Sequence, residues 1–477
     1  MNTPQRRLRF LMDLIRLVEE KILSVVNEMS KIFEGEIDYL TFEAQLKKKL
    51  DGIGCALVQL VLETLEEKIH ESEERKRDWK VVRRRDQKAI LTPFGQLTYE
   101  RSYYQHKESK QYAYLVDAQI GITPHARVGP NLKAAFLEAS SKMSYEEATV
   151  QESSYNPELK VSRQTVALTV KKFTPVKSLS PQEKRYVREL YIEADEDHVR
   201  IRDHKRKKPS LLIYVHEGVS EEGSRRRLKS AKYFTRPWGK SEELWWEVLD
   251  YLEARYDLSK VEKIYLLGDG ASWIRAGLQY LPSQTVFILD KYHLEKYIQT
   301  ATAHAPELKR LIHRGIDSLN KQAVLAHLHE ALWRTDEKPR RKRIVATIGY
   351  VERNWDGIEN GVRHPGIGCS AEGHVSHILA ARLSSRPMAW SLQGAENMAA
   401  MRVAVANGES IRKQYLAMQA SILFPAEIKE AVQERLKRLP KKILVGVENF
   451  DNIPLFRGGH NLTRVALKSL NEFNAVI

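Results

Sequence analysis

Three acidic residues set far apart carry the chemistry that this sequence offers: Asp195 in Tyr191-Ile-Glu-Ala-Asp-Glu-Asp-His198, Asp269 in Leu266-Leu-Gly-Asp-Gly-Ala271, and Glu372 in Cys369-Ser-Ala-Glu-Gly-His374. Asp195 and Asp269 end apolar runs of strand length, and Glu372 opens a helical pattern. A fold that gathers the three would let them share divalent cations, because hard cations prefer carboxylate oxygens. Two Mg²⁺ or Mn²⁺ ions held this way can activate a water or a 3′-hydroxyl and stabilise the leaving oxygen of a phosphodiester, with no protein nucleophile. Asp197 lies two residues beyond Asp195, on the same strand face, and stands as the alternative first ligand.

Each acid also has a plainer reading. Asp195 to Asp197 can be a solvated turn, Asp269-Gly270 a strand-to-helix turn, and Glu372 a favourable charge at a helix amino terminus. A second group follows the fifth apolar run: in Leu289-Asp290-Lys291-Tyr292-His293, Asp290 is placed to cap a helix, and His293 falls on its first turn, close to the strand ends that carry the acids. His293 then contacts a phosphate or base, or is an ordinary structural histidine. Trp355 stacks on an unpaired base or anchors a helical core. His374 and His377 lack a third zinc-type partner and are not assigned to a metal.

The surroundings of these residues favour a polyanion. The 77 Lys and Arg against 62 Asp and Glu leave a net charge of +15, which points to nucleic acid rather than a membrane or a basic substrate. Runs at Lys205-Arg-Lys-Lys208, Arg225-Arg-Arg227 and Arg340-Arg-Lys-Arg343 fit a phosphate track, with solvated surface as the default for any one of them. The two cysteines, Cys55 and Cys369, form no metal or redox motif and fit a reducing compartment. With no run of 18 apolar residues and no cleavage pattern at the start, the expected location is the cytoplasm, with nucleoid association when DNA is bound.

The elements that must position these residues change character along the 477 residues. Residues 1–80 read as two long helices, about 7–32 and 41–77, the second with Leu46, Leu50, Ile53, Leu57, Leu60 and Val61 on its buried side. They form an antiparallel hairpin or an oligomerisation arm. Residues 81–175 hold a β-ribbon led by Arg83, Arg84 and Arg85, then a helix-turn-helix-like pair. In its second helix Ser162 is a good N-cap, and Arg163, Gln164 and Thr165 are residue types that reach base edges. After the prolines near 175–181, strands are expected at Tyr191–Ala194, Leu211–His216, Leu228–Phe234, Ile264–Leu267 and Val286–Leu289, with a helix at Glu242–Glu253. Three strands, a helix, a strand, a helix and a strand is the order of an RNase H-like α/β domain. We place this core at 186–298, an all-α insertion at 299–365, the last core helix with the third acid at 366–400, and a C-terminal helical region at 401–477.

With these residues in view, the chain resembles the ISLre-type insertion-sequence transposases, related to the Mutator-like DDE group. The carriers are Tyr191 to Val199, Gly268 to Ile274, Leu289 to Leu294, Asn354-Trp355, and Cys369 to His377 followed by Ser384-Ser-Arg-Pro387. The resemblance implies an RNase H-like catalytic domain with a helical insertion. It implies a mainly helical DNA-binding region before that domain, and Asp195, Asp269 and Glu372 as catalytic acids, with Asp290 and His293 matching an Asp-x-x-His element. It further implies a homo-oligomeric DNA transposase that binds terminal inverted repeats and target DNA, and cleaves and transfers strands with Mg²⁺ or Mn²⁺. The rival readings are an RNase H-like structure-specific nuclease and a domesticated, catalytically inactive DNA-binding regulator.

Overall fold

The computed structural model describes residues 4–155, 159–175, 183–222, 225–237 and 241–423. The chain divides into two compact units, Met1–Met418 and Gln419–Ile477. Residues 424–477, most of the expected C-terminal helical region, lie outside the described residues.

The amino-terminal apolar periodicity produces α1 (Pro4–Phe33) and α2 (Tyr39–Glu71), the latter started by Asp38, whose side chain accepts the Thr41 amide. The second helix is shorter than its charged periodicity suggests. Ser72 leaves the helical conformation and caps a separate short helix, α3 (Glu73–Asp78), because its hydroxyl satisfies the Arg75 amide. Leu50 and Val61, expected on the buried side, are half exposed. A long antiparallel ribbon follows, β1 (Trp79–Thr92) against β2 (Gly95–His106), edged by β3 (Tyr112–Ala113). Then come α4 (Leu115–Ile120), α5 (Pro130–Ser140), α6 (Tyr145–Tyr155) and α7 (Arg163–Lys172). Ser144 and Glu147 form a reciprocal capping box at the start of α6, and Ser162 caps α7.

A five-stranded mixed sheet lies between the two main cores of the first unit. Its strands are β4 (Glu189–Val199), β5 (Lys208–His216), β8 (Lys232–Pro237), β9 (Lys263–Gly268) and β10 (Thr285–Leu289), in the spatial order β10-β9-β4-β5-β8. β4, β9 and β10 run parallel, while β5 and β8 are antiparallel to their neighbours. The expected third strand at Leu228–Phe234 is not one element. Leu228 ends a small hairpin of β6 (Val219–Glu222) and β7 (Arg225–Leu228), Ser230 turns the chain at φ +52°, and β8 begins at Lys232.

Strand alternation sorts β4 into two faces. Leu190, Ile192 and Ala194 enter the larger core with Trp245 of α8 (Ser241–Arg255) and Ile298 of α10 (Lys291–Thr302). Short α9 (Ser272–Arg275) follows β9. The larger core continues through α11 (Pro306–Asp317), α12 (Lys321–Trp333), α13 (Lys338–Arg353) and α14 (Trp355–Arg363), so the polar, helical stretch after β10 is a packed helical layer. The opposite face packs on α15 (Ala371–Val375), a π-turn at Ser376–Ala380, α16 (Ala381–Leu383) and α17 (Leu392–Ala406), with Tyr415 of α18 (Ile411–Leu423). Asn397 of α17 ties α7 to this layer by donating to the Val170 and Lys171 carbonyls. No helix among the described residues is long and apolar enough to cross a membrane.

Candidate functional site

The second face of β4 carries Tyr191, Glu193, Asp195 and Asp197, and the acids meet at its carboxyl end. β9 ends beside β4 because Gly268 has no side chain: a Cβ there would lie 2.9 Å from the Ala194 carbonyl oxygen. Asp269 therefore leaves the sheet next to Asp195. Gly270 then turns at φ +83° against the Asn354 amide, a backbone region that only glycine enters without strain. The Asp290 amide donates to the Gly268 carbonyl, which sets β10's exit beside β9's. Asp290 caps α10 through the Tyr292 and His293 amides and accepts from His293 Nδ1 at 2.7 Å. That bond holds the His293 imidazole above its usual range against the opposing effect of burial, and the charges of Asp290, Asp195 and Asp269 add to it. Glu372 on α15 brings Oε2 to 4.0 Å from His293 Nε2.

These acids converge without forming a metal site. Among the described residues, no group of three or more His, Cys, Asp or Glu side chains is placed to hold a metal ion. The expected pair of Mg²⁺ or Mn²⁺ ions on Asp195, Asp269 and Glu372 is therefore corrected, and with it the metal-dependent DNA transposase that would cleave and transfer strands. The local bonding gives the reason. Asp195 Oδ1 is turned onto the Glu196 amide at 2.8 Å, and Asp269 Oδ1 closes a turn on the Ala271 amide at 2.8 Å. Glu372 is mostly exposed, with 64% of its side-chain surface open. The alternative ligand Asp197, on the same strand face as Asp195, accepts the Ser384 hydroxyl at 2.7 Å, and burial raises its carboxyl. Burial also pushes the Asp195 carboxyl up to about 7; the Glu196 amide opposes this, and the charges of Asp269 and Glu372 reinforce it.

The remaining expected residues lie apart from this cluster. Trp355 is partly buried and packs on the larger core. Arg163 and Gln164 are exposed on the first turn of α7, where Arg163 lies 3.5 Å from Glu146. The Thr165 hydroxyl lies 3.1 Å from that of Ser162.

The sequence reading missed a buried polar network beside the acids. Glu193, only 2% exposed, accepts from His216 Nε2 at 3.0 Å and from the Tyr214 hydroxyl at 2.8 Å. It also accepts the amide and hydroxyl of Ser370, the residue that opens α15 and so sets where Glu372 stands. Burial alone would raise the Glu193 carboxyl, but these donors outweigh it and hold the group below its usual range. Tyr233 and His374 extend the network, hydroxyl to Nδ1 at 3.0 Å. Glu193, His216, Ser370, Tyr233 and His374 border a cavity of about 890 Å³ that Tyr191, Arg227 and Cys369 also line. The alternation of Tyr191, Glu193 and Asp195 on one strand, and of Tyr214 and His216 on its neighbour, was the signal available for it.

A family model described as Uncharacterised protein family (UPF0236) matches residues 36–420. The chain belongs to this family. It is 36% identical over 429 residues to one UPF0236 protein of Caldanaerobacter subterraneus subsp. tengcongensis, covering 87% of this chain and 90% of that protein. A second protein from the same organism is 35% identical over 435 residues, covering 90% and 92%. The UPF0236 protein in vanSb 3'region of Streptococcus gallolyticus is 23% identical over 403 residues, covering 81% and 87%.

Proposed function

We propose that this member of the UPF0236 family is a cytoplasmic DNA-binding regulator built on an RNase H-like scaffold, one that holds duplex DNA without metal-dependent strand chemistry. The strand order β10-β9-β4-β5-β8, with a helical layer between β10 and the helix bearing Glu372, supports the scaffold. It also accords with the resemblance to ISLre-type proteins, read as ancestry. The acid cluster lacks the geometry for ions, so the regulator reading fits better than a nuclease.

The observation that carries the DNA reading is a bulge in the β1–β2 ribbon. Arg83 faces Tyr103 and Asp86 faces Arg101, so Arg84 and Arg85 share one residue's space opposite them. Arg85 takes φ +58°, and 81% of its side chain is exposed. Holding a non-glycine residue there costs on the order of 1 kcal/mol or more, and bulges of this kind re-aim side chains. The result is three adjacent exposed arginines on a chain of net charge +15, with Arg83 also stacked 5.3 Å from the Tyr103 ring. Cationic side chains presented this way neutralise phosphates and release counterions.

The test is anisotropy of a labelled duplex titrated with the full chain across a salt series. Binding should weaken steeply with salt, and replacing Arg83, Arg84 and Arg85 together by Ala should lower the slope of log K against log salt by roughly 2–3. An unchanged slope would remove the ribbon from the interface. In parallel gels, nicking or joining that requires Mg²⁺ or Mn²⁺ and disappears in Asp269→Ala would overturn the non-catalytic reading.

A further inference from the structure

β8 is an outer strand of the sheet, and part of its edge has no neighbour. At Tyr233 the Asn407 side chain takes the place of a strand, accepting the backbone N–H at 2.8 Å and donating to the C=O at 3.0 Å. Tyr233 therefore turns its peptide groups away from β5. Peptide direction alternates along a strand in an antiparallel pair, so Thr235 turns its N–H and C=O outward as well. No described residue bonds either of them, although Thr235 is only 4% exposed. A covered backbone donor and acceptor without partners is uncommon in a folded chain. Thr235 borders a cavity of about 430 Å³ that lies along this edge between α8 and α17. On the α17 side the wall is small and apolar, Ala400, Val403 and Ala404. On the α8 side stand Trp246, 55% exposed, and the acids Glu243, Glu247 and Asp250. Arg236 lies 3.5 Å from Glu243 and 3.6 Å from Glu247, and Lys232 lies 3.2 Å from Glu409. Four acids against these two bases leave the lining two negative charges in excess, on a chain whose net charge is +15.

We propose that this groove binds an extended basic segment of another protein, which adds a short strand to β8 through the Thr235 N–H and C=O. The two walls set what that segment carries, because side chains of an added strand alternate between the faces of the sheet. Those turned to α17 meet Ala400, Val403 and Ala404, and must be small and apolar. Those turned to α8 are Lys or Arg, whose aliphatic stems cover the Trp246 ring while their charged ends reach the acids. The added stretch is short. Asn407 already occupies the edge at Tyr233, and Pro237 has no N–H to offer.

The probe is a hexapeptide of alternating Lys and Val, amidated and labelled with fluorescein, titrated with the full chain in the absence of DNA and read by anisotropy. Saturable binding is expected, and a peptide with Glu in place of every Lys should not bind. Two further peptides, N-methylated at all the Lys amides or at all the Val amides, should differ, since only one set faces β8. Thr235→Pro removes the outward N–H and should weaken binding roughly three- to tenfold, while Thr235→Ala, which keeps the peptide groups, should bind as the wild type does. Ala404→Trp should fill the groove and exclude the peptide. Should the protein variants misfold, the N-methylated pair still decides, because it leaves the chain unaltered. Several results would overturn the proposal: no binding, equal binding of the Glu peptide, or an affinity that Asp250→Lys lowers but that neither N-methylation nor Thr235→Pro changes. A wild-type chain that self-associates and becomes monomeric in Ala404→Trp would assign the groove to a second copy and overturn it too.

Discussion

Replacing Asp195 by Asn should stabilise the protein, and should do so only above acidic pH. The carboxyl is 8% exposed and lies within reach of the charges of Asp269 and Glu372. Burial first, and those charges second, lift it from 3.8 to about 7. Below the unfolded value both states hold the proton, and the group contributes nothing to stability. As pH rises from 3.8 toward 7, the unfolded chain releases the proton while the folded one keeps it, so stability falls. Above about 7 the folded state carries the full cost of a buried anion among like charges. A displacement of about three pH units corresponds to an upper bound of about 4 kcal/mol. With relaxation and solvent screening, about 2 kcal/mol is the expected gain for Asp195→Asn near pH 8. The Asn side-chain oxygen can still accept the Glu196 amide, so the swap removes charge with little change of shape. Urea unfolding of both proteins at about pH 4 and about pH 8, compared at matched slopes, reads the difference. A gain that grows with pH supports the strained acid cluster. A loss of stability at high pH, or a difference independent of pH, would refute the reasoning and show that Asp195 has a partner that rewards its charge.

Two further outcomes follow from the same site. Millimolar Mg²⁺ or Mn²⁺ should leave the thermal midpoint unchanged, since a ligand that binds only the folded state would raise it by mass action; a saturable rise that Asp269→Ala or Glu372→Ala abolishes would restore an ion site. Gly270→Ala should destabilise by about 1–3 kcal/mol, because it forces a side chain into a left-handed turn and against Asn354, whose buried Oδ1 has no hydrogen-bond partner; chemical denaturation measures it, and a neutral result would mean that the turn is free to rearrange.

Much of the architecture was legible because it depends on short-range rules. The three-to-four spacing along α1 specifies a helix wherever it is placed. Ser162 and Asp290 cap their helices as their residue types suggest, since an N-cap needs only an oxygen two or three residues before the amides it satisfies. The period-two pattern of Tyr191 to Asp197 put the acids on one face of β4 before any neighbour was known. Local chemistry also misled where two solutions compete. Ser72 could continue α2 or restart the chain, and its hydroxyl caps the Arg75 amide to start α3; Leu228 could begin a strand or end a hairpin, and it pairs with Val219 to end one.

The sequence by itself therefore determined which residues are acidic, which face of a strand they share, and that the surface is cationic. That Asp195 and Asp269 turn onto nearby backbone amides while Glu372 stays exposed beside His293 was shown only by the tertiary structure. Where the acids stand depends on the close approach of β9 to β4 at Gly268 and on where Glu193 fixes Ser370, contacts between residues far apart in the chain that no local pattern encodes.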